Sequence, residues 1–381
     1  MDGLLLSIGV FCAILTAGSI IYCGLSICAA FKYLAVRLKP NPALPPISLM
    51  KPLSGLDDGL RENLRSFFNQ DYPDFEVIMA IRHPDDPAAG VARQVMDEFP
   101  DIPSELVIVG ESPVPNAKVF SLRRIFERAR NELVVMADSD TRVDRSFFRV
   151  IAAELADERV GLVTCPYRAV PGDSFWSELE AIGLNTEFLS GVLVARMLIG
   201  MDFALGPAIA TRKSLVEEVG GLEPLQNYLA EDFVLGNLVA SAGRGVILSS
   251  YRIEHRIGAQ DFSSNFEHRL RWARSTRRSR PLGYIGQVFT NPIPLALFTL
   301  AASPSWLPLV LTAIAFRFLA AWAVDRRVLN NGLSLRRWVL LPVQDAISFL
   351  VWVGGFFGST VTWRGRRYNV RADGTFGTVE S

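Results

Sequence analysis

Hydrophobic and polar positions divide this chain into three regimes. From Gly3 to Phe31 no charged residue interrupts the apolar run, a length that crosses a bilayer as one helix. From Ile47 to about Arg256, short apolar runs alternate with segments of helical spacing; from Ile293 to Val324 and Val339 to Trp363 the chain is mostly apolar again. In the middle regime Ile47–Leu53, Phe75–Ile81, Leu106–Val109 and Leu133–Ala137 read as strands. Between them Asp57 caps a helix through Phe68, Pro87–Phe99 forms a second with proline in its first turn, and Ala117–Arg130 a third. Val143–Ala156 and Val160–Tyr167 continue the series. Such alternation predicts an α/β fold with a largely parallel, doubly wound sheet.

The later pattern is less regular. Ser174–Met201 reads as one long apolar helix, and Phe203–Pro207 as a strand ending in a tight loop at Gly206. A helix from Arg212 stops at Gly220-Gly221, and Leu229–Ala240 forms another that bears Glu231-Asp232. Val246–Ser250 and Arg252–His255 read as short strands, followed by a basic helix from about Phe262 to Arg280. Pro40–Pro46 is a stiff spacer. Pro292–Ser303 is short for a span and broken by Pro294. Read as interfacial, it leaves Trp306–Val324 and Leu340–Trp363 as the C-terminal spans, with Arg364, Arg366 and Arg367 inside and Arg326, Arg327, Arg336 and Arg337 outside. Read as a span, it reverses both clusters.

Charge narrows the partners. Lys and Arg number 39, as do Asp and Glu, which argues against nucleic acid as the principal partner. The excess is apolar, 50% of residues with a mean hydropathy of +0.25. Only Asp2 precedes the first apolar run, so a cleaved signal is not expected, and bulky Ile27 before Cys28 speaks against a lipoprotein. Lys32, Arg37 and Lys39 follow the run; the expectation is an integral protein of bacterial inner-membrane type, N-terminus outside and catalytic part cytoplasmic. Cys12, Cys23 and Cys28 lie in that run and Cys165 is alone elsewhere, so neither a disulfide framework nor a thiolate metal cluster is expected.

Candidate chemistry sits at the ends of the predicted elements. Asp138 and Asp140 follow the Leu133–Ala137 run at i, i+2, a spacing that lets both carboxylates reach one hard cation. The bland alternative is a turn and helix cap. Asp86 follows the Phe75–Ile81 strand, able to accept from a base or ribose or simply to cap Pro87–Phe99. Lys118 opens a helix whose amides favour an anion. Glu231-Asp232 offers a carboxylate that can take a proton from a hydroxyl, or a helix-capping acid. Arg271-Trp272 pairs a cation with an aromatic, while Arg277, Arg278 and Arg280 read as juxtamembrane charge facing anionic lipid. His255 reads as structural or as support for the acids.

This order of motifs resembles the membrane-bound, family-2-type glycosyltransferases with a GT-A fold. Lys51-Pro52-Leu53-Ser54-Gly55, Asn63–Phe68, Tyr72-Pro73, Asp86-Pro87-Ala88 and Phe289–Leu295 resemble the ceramide glucosyltransferase family, which includes hopanoid-associated glycosyltransferases, over nearly the whole chain. The resemblance implies a membrane-bound inverting glycosyltransferase using a UDP-sugar, a divalent cation (Mg²⁺ or Mn²⁺) and a lipid hydroxyl: ceramide first, a hopanoid polyol second. A non-catalytic membrane scaffold is the reading of another class. By the resemblance, Asp86 holds uridine, Asp138 the nucleotide and metal, Asp140 the metal, and Asp232 is the base. Lys51, Pro52, Lys118, Arg271 and Trp272 fall on the donor side; Gly206, Glu231 and His268 on the acceptor side, with His268 replacing the family's Gln or Arg. Ser174–Met201 lies on the membrane or caps the acceptor side. The expected divisions are an anchor (1–32), the GT-A domain (40–260), a basic helix (261–283), membrane helices (284–365) and a tail (366–381).

Overall fold

Strands form where apolar, largely β-branched runs are covered on both sides: all seven residues of Phe75–Ile81 and all five of Leu133–Ala137 are buried. The structure, a computed structural model, describes residues 2–35, 43–363 and 366–378. Arg37 and Lys39, Pro40–Pro42 of the expected spacer, and Arg364 lie outside the described residues.

One compact unit comprises Arg37–Gly172, Met201–Gly258 and Arg371–Ser381. Its main sheet has the strand order Ser104–Ile108, Phe75–Ile81, Ile47–Pro52, Leu133–Ala137, Ala208–Arg212, Val160–Thr164, Gly245–Leu248. Pairing is parallel except at Ala208–Arg212, which runs against both neighbours, so the doubly wound expectation needs one reversed strand. The strand read at Phe203–Pro207 lies later, at Ala208–Arg212; Phe203–Leu205 is buried loop. A Cβ at Gly236 would meet the Phe203–Ala204 backbone at 2.5 Å, so the Glu231–Ser241 helix packs there backbone to backbone. Asp57 does not cap Leu60–Phe68; Gly59, at φ 66°, does, and Asp57 instead accepts from the Ser139 hydroxyl. A small second sheet joins Thr141–Arg142, Ile253–Ile257 and Tyr167–Pro171.

The other unit comprises Met1–Val36, Asp173–Gly200 and Ala259–Val370. Among the described residues, four helices there are long and apolar enough to cross a membrane: Ser7–Leu34, Phe175–Ile199, Pro304–Val328 and Leu335–Gly355. The segment read as lying on the membrane or capping the site is thus itself of membrane length, grouped with the apolar helices. A bent pair, Pro281–Thr290 with Pro292–Ala302 at 62°, would make a fifth. The break falls at Asn291, between the two helices; Pro294 sits in the first turn of the second, where proline costs little. Leu340–Trp363 is not one span: the helix ends at Gly355, and Thr360–Trp363 pairs antiparallel with Arg366–Val370. Arg277 does not simply face lipid. Its guanidinium donates to the Phe356 and Gly358 carbonyls, and Arg274 to Phe357 (3.1 Å) and Thr360, serving carbonyls of the segment that links the helix Leu335–Gly355 to the strand after it.

Several buried charges inside this unit have partners. Arg317, 2% exposed, donates to both Asp345 oxygens (2.9 Å and 2.7 Å at closest) and to Thr186 Oγ1 at 3.1 Å. Glu187 accepts from Thr290, Asn291 and Ser348. Thr186 and Glu187 lie in a π-helical turn, Leu184–Phe188, in mid-helix.

A lone charge left among apolar helices is costly, whereas removing both partners is not. Arg317→Met is therefore expected to cost about 3–5 kcal/mol, and Arg317→Met with Asp345→Leu to recover most of it. Thermal unfolding in detergent measures both; a single variant as stable as the parent would mean the pair contributes nothing.

Candidate active site

At the centre of the sheet the Leu133–Ala137 strand ends and Asp138-Ser139-Asp140 turns beyond its carboxyl end. Main-chain bonds fix the turn. The Asp138 carbonyl accepts from Lys51 Nζ at 2.7 Å and Thr141 Oγ1 at 2.6 Å, and the Asp138 N–H donates to Pro207 at 3.0 Å. Asn63 Nδ2 donates to the Ser139 carbonyl at 3.2 Å, and the Arg256 N–H to the Asp140 carbonyl at 2.7 Å. Lys51, placed on the donor side by the resemblance, is wholly buried with its ammonium 3.9 Å from the Phe67 ring centre. Burial drives its pKa down to about 7 against the pull of Asp138, Asp140 and Asp57. Its effect on a ligand therefore passes through the turn.

Six expected residues line one pocket: Pro52, Lys118, Asp138, Gly206, Glu231 and Asp232. Asn116 caps the Ala117–Phe126 helix through the Val119 N–H, which puts Lys118 in its first turn. Lys118 Nζ lies 2.7 Å from Asp138 Oδ1 and 2.9 Å from Glu231 Oε1. Burial works against that charge, but the two carboxylates prevail and hold its pKa above the ordinary lysine value. Asp138 is pushed up by burial and by Asp140 and Glu231, with Lys118 opposing. Asp232 reaches about 7, raised by burial, Glu231 and Asp138 against Lys118 and the Phe233 N–H. A Cβ at Gly206 would stand 3.1 Å from Asp232 Oδ2, so only glycine leaves that carboxylate its full space.

The remaining expected residues lie elsewhere. Asp86 caps Pro87–Glu98 through the Ala88 N–H (2.9 Å) and accepts the Gly55 N–H (3.0 Å), which ties the Lys51–Gly55 segment to it. Arg271, Trp272 and His268 belong to the unit of apolar helices. Arg271 packs over Trp363 at 5.7 Å, Trp272 against Phe188 and His268, and His268 Nδ1 lies 2.9 Å from Glu180. Asn63 and Asn116, which hold the turn and the lysine helix, carry no chemistry readable from sequence; buried amides are recognised only by what they hold.

Asp140 fits a cation. Its Oδ1 is buried without a hydrogen-bond partner, with His255 Nδ1 at 3.4 Å. Burial raises the Asp140 pKa, but His255, Lys118 and Lys51 outweigh it and keep the carboxylate below its ordinary value. Among the described residues no group of three His, Cys, Asp or Glu forms a complete cage. A hard cation can be held by one or two carboxylates and completed by substrate oxygens.

The family model described as glycosyl transferase family 21 matches residues 11–376. Ceramide glucosyltransferase 1 of Caenorhabditis elegans is 30% identical over 250 residues, 64% of this chain and 53% of that protein, so the match spans about half of its length. Ceramide glucosyltransferase 3 of the same organism is 22% identical over 346 residues, covering 88% of this chain and 74% of that one. Among solved structures, a mannosyltransferase of Pyrobaculum calidifontis in complex with GDP-Man and Mn²⁺ superposes with a TM-score of 0.56 at 18% identity. That match covers 92% of this chain and 99% of the other, and the likeness is one of fold, the GT-A architecture.

The site's own prediction concerns the cation. Mn²⁺ binding to the full chain in detergent, read by loss of the free-ion EPR signal, should disappear in Asp140→Ala and weaken about 10–100-fold in His255→Ala. Unchanged binding in Asp140→Ala would remove that residue from the metal site.

Proposed function

The chain belongs to glycosyl transferase family 21, and on that premise we propose that it transfers one hexose, with inversion, from a UDP-sugar to the hydroxyl of a membrane lipid, ceramide being the first choice. The names of the two C. elegans relatives support the acceptor and the sugar, glucose. The helices of membrane length support an acceptor that lives in the bilayer. The observation that carries the reading is the pocket itself, where the Asp138 strand end and Asp232 line the same space.

In this reading Asp86 receives the uridine part and Asp138 the nucleotide. Lys118, in the first turn of a helix whose amide dipoles favour anions, takes the diphosphate. A divalent cation held by Asp140 with Asp138 would offset charge on the departing diphosphate. Asp232 accepts the proton of the acceptor hydroxyl as its oxygen attacks the anomeric carbon. The bond from that carbon to the diphosphate breaks, and its electron pair leaves with UDP. One base suffices, since the leaving group departs as an anion. Arg271 and Trp272 enter as diphosphate and acceptor contacts through the resemblance alone. The positive residue Lys32 and the charges after it support a reading with the N-terminus outside and the sheet unit in the cytoplasm.

Membranes containing the chain, given labelled UDP-glucose, UDP-galactose or UDP-N-acetylglucosamine with either ceramide or a hopanoid polyol, should yield glucosylceramide, and EDTA should abolish it. A hopanoid product instead would transfer the reading to that acceptor; no product in any mixture would overturn it. Asp232→Asn should lower transfer by about 10²–10⁴-fold while donor affinity stays unchanged. Because the base must be ionised and its pKa stands near 7, the rate should fall toward acid below about 7. A flat profile from about pH 5 to 8, or full turnover in Asp232→Asn, would sink the base assignment.

A further inference from the structure

The segment that delivers Asp232 has little structure of its own. It turns at Gly220 and Gly221, at φ 97° and 73°, makes one 3₁₀ turn over Glu223–Leu225, and reaches the helix Glu231–Ser241 through irregular backbone. Such a stretch keeps one geometry only if partners elsewhere in the chain hold it. Two partners do. On one side is Asn116, wholly buried: its N–H donates to the Gln226 carbonyl at 3.1 Å, and its side-chain amide to the Tyr228 carbonyl at 2.8 Å and Glu231 Oε2 at 3.3 Å. On the other is a segment that follows the last membrane-length helix in sequence. The Phe376 N–H donates to the Asn227 carbonyl at 2.8 Å, and Thr375 bridges Tyr228 as an antiparallel pair.

That second partner is shaped for the contact. Gly374, at φ 83°, lets the chain reverse, with its N–H on the Arg371 carbonyl at 3.1 Å and the Arg371 N–H on the Thr375 carbonyl at 2.7 Å. Asp373 Oδ1 accepts from the Thr375 N–H at 3.0 Å and its hydroxyl at 2.7 Å, closing the turn from within. Phe376 then anchors it, 2% exposed, although it lies beyond every helix of membrane length. Three successive carbonyls, those of Gln226, Asn227 and Tyr228, are thus bonded alternately by Asn116 and by Phe376. Asp232 stands four residues after the last of them.

We infer that the segment Arg371–Thr378 is a positioning element for the base: by clamping Asn227 and Tyr228 through Thr375 and Phe376, it sets where Asp232 meets the acceptor hydroxyl. Phe376 touches no reacting atom in this role. It acts through the loop, and a misplacement of about 1 Å at a reacting group can cost about 100-fold in rate. The inference rests on Asp232 being the base.

The test uses the full chain in detergent, with Phe376→Ala, Phe376→Leu and Asp232→Asn. Phe376→Ala should lower kcat for transfer by at least about tenfold, leave UDP-sugar affinity unchanged, and speed amide exchange at residues 226–233 with the sheet strands still protected. Phe376→Leu, which keeps an apolar anchor, should recover most of kcat and of the protection. Wild-type kcat in Phe376→Ala would overturn the inference. So would unchanged exchange at residues 226–233, or a loss of kcat, donor affinity and sheet protection together, which marks a general loss of fold. Full activity in Asp232→Asn would overturn the base reading and with it the catalytic role of the clamp, while the exchange data would still report separately whether Phe376 holds the loop.

Discussion

Lys118 stands 2.7 Å from Asp138 and 2.9 Å from Glu231, and the electrostatics of the pocket follow from that position. Asp138, Glu231 and Asp232 reach the same space from a strand end and from a helix that starts far later in the chain. Two like charges about 4 Å apart near a protein surface repel by about 4 kcal/mol, and a cation among gathered carboxylates offsets that repulsion. One ammonium stands within hydrogen-bond reach of two of them. It cannot also neutralise Asp232, which is left near 7 by burial and by its acidic neighbours. A carboxylate poised there can both hold and release a proton at working pH, as a base requires.

The lysine can do this because its surroundings are rigid. Asn116 fixes the helix that carries it, and the Asp138 turn is bonded through its main chain by Lys51, Thr141, Asn63 and Arg256. The unit of apolar helices follows the same rule under a harsher solvent. Arg317 and Asp345 satisfy each other, and Glu187 is served by three donors. In both places a buried charge persists because its partner arrives from another element with fixed geometry.

Much of this architecture can be read in the chain itself. The alternation of apolar runs places the four parallel strands that lead to Asp138 within a few residues of where they lie, because strands covered on both faces must be continuously apolar. The GT-A fold expected from the motif order is the fold found. Where periodicity is weak the reading fails. The pattern points to the apolar loop before the reversed strand at Ala208–Arg212, since burial under the Gly236 helix and pairing in a sheet leave the same signature. Phe175–Ile199 reads as a helix, but its grouping with the membrane-length helices is set by contacts between distant segments.

The chemistry the chain can carry is written along it: strand-end acids two residues apart, a lysine at a helix start, an acid pair on a later helix, and apolar runs long enough for a bilayer. These are local properties, since spacing, periodicity and capping act over a few residues. Tertiary structure alone decided which groups share a pocket. It gave Lys118 to both Asp138 and Glu231, put His255 beside Asp140, sank Lys51 beneath the turn, and brought Phe376 to the loop ahead of Asp232. The physical reason is that a pKa or a hydrogen bond depends on distance through space, which no local pattern encodes.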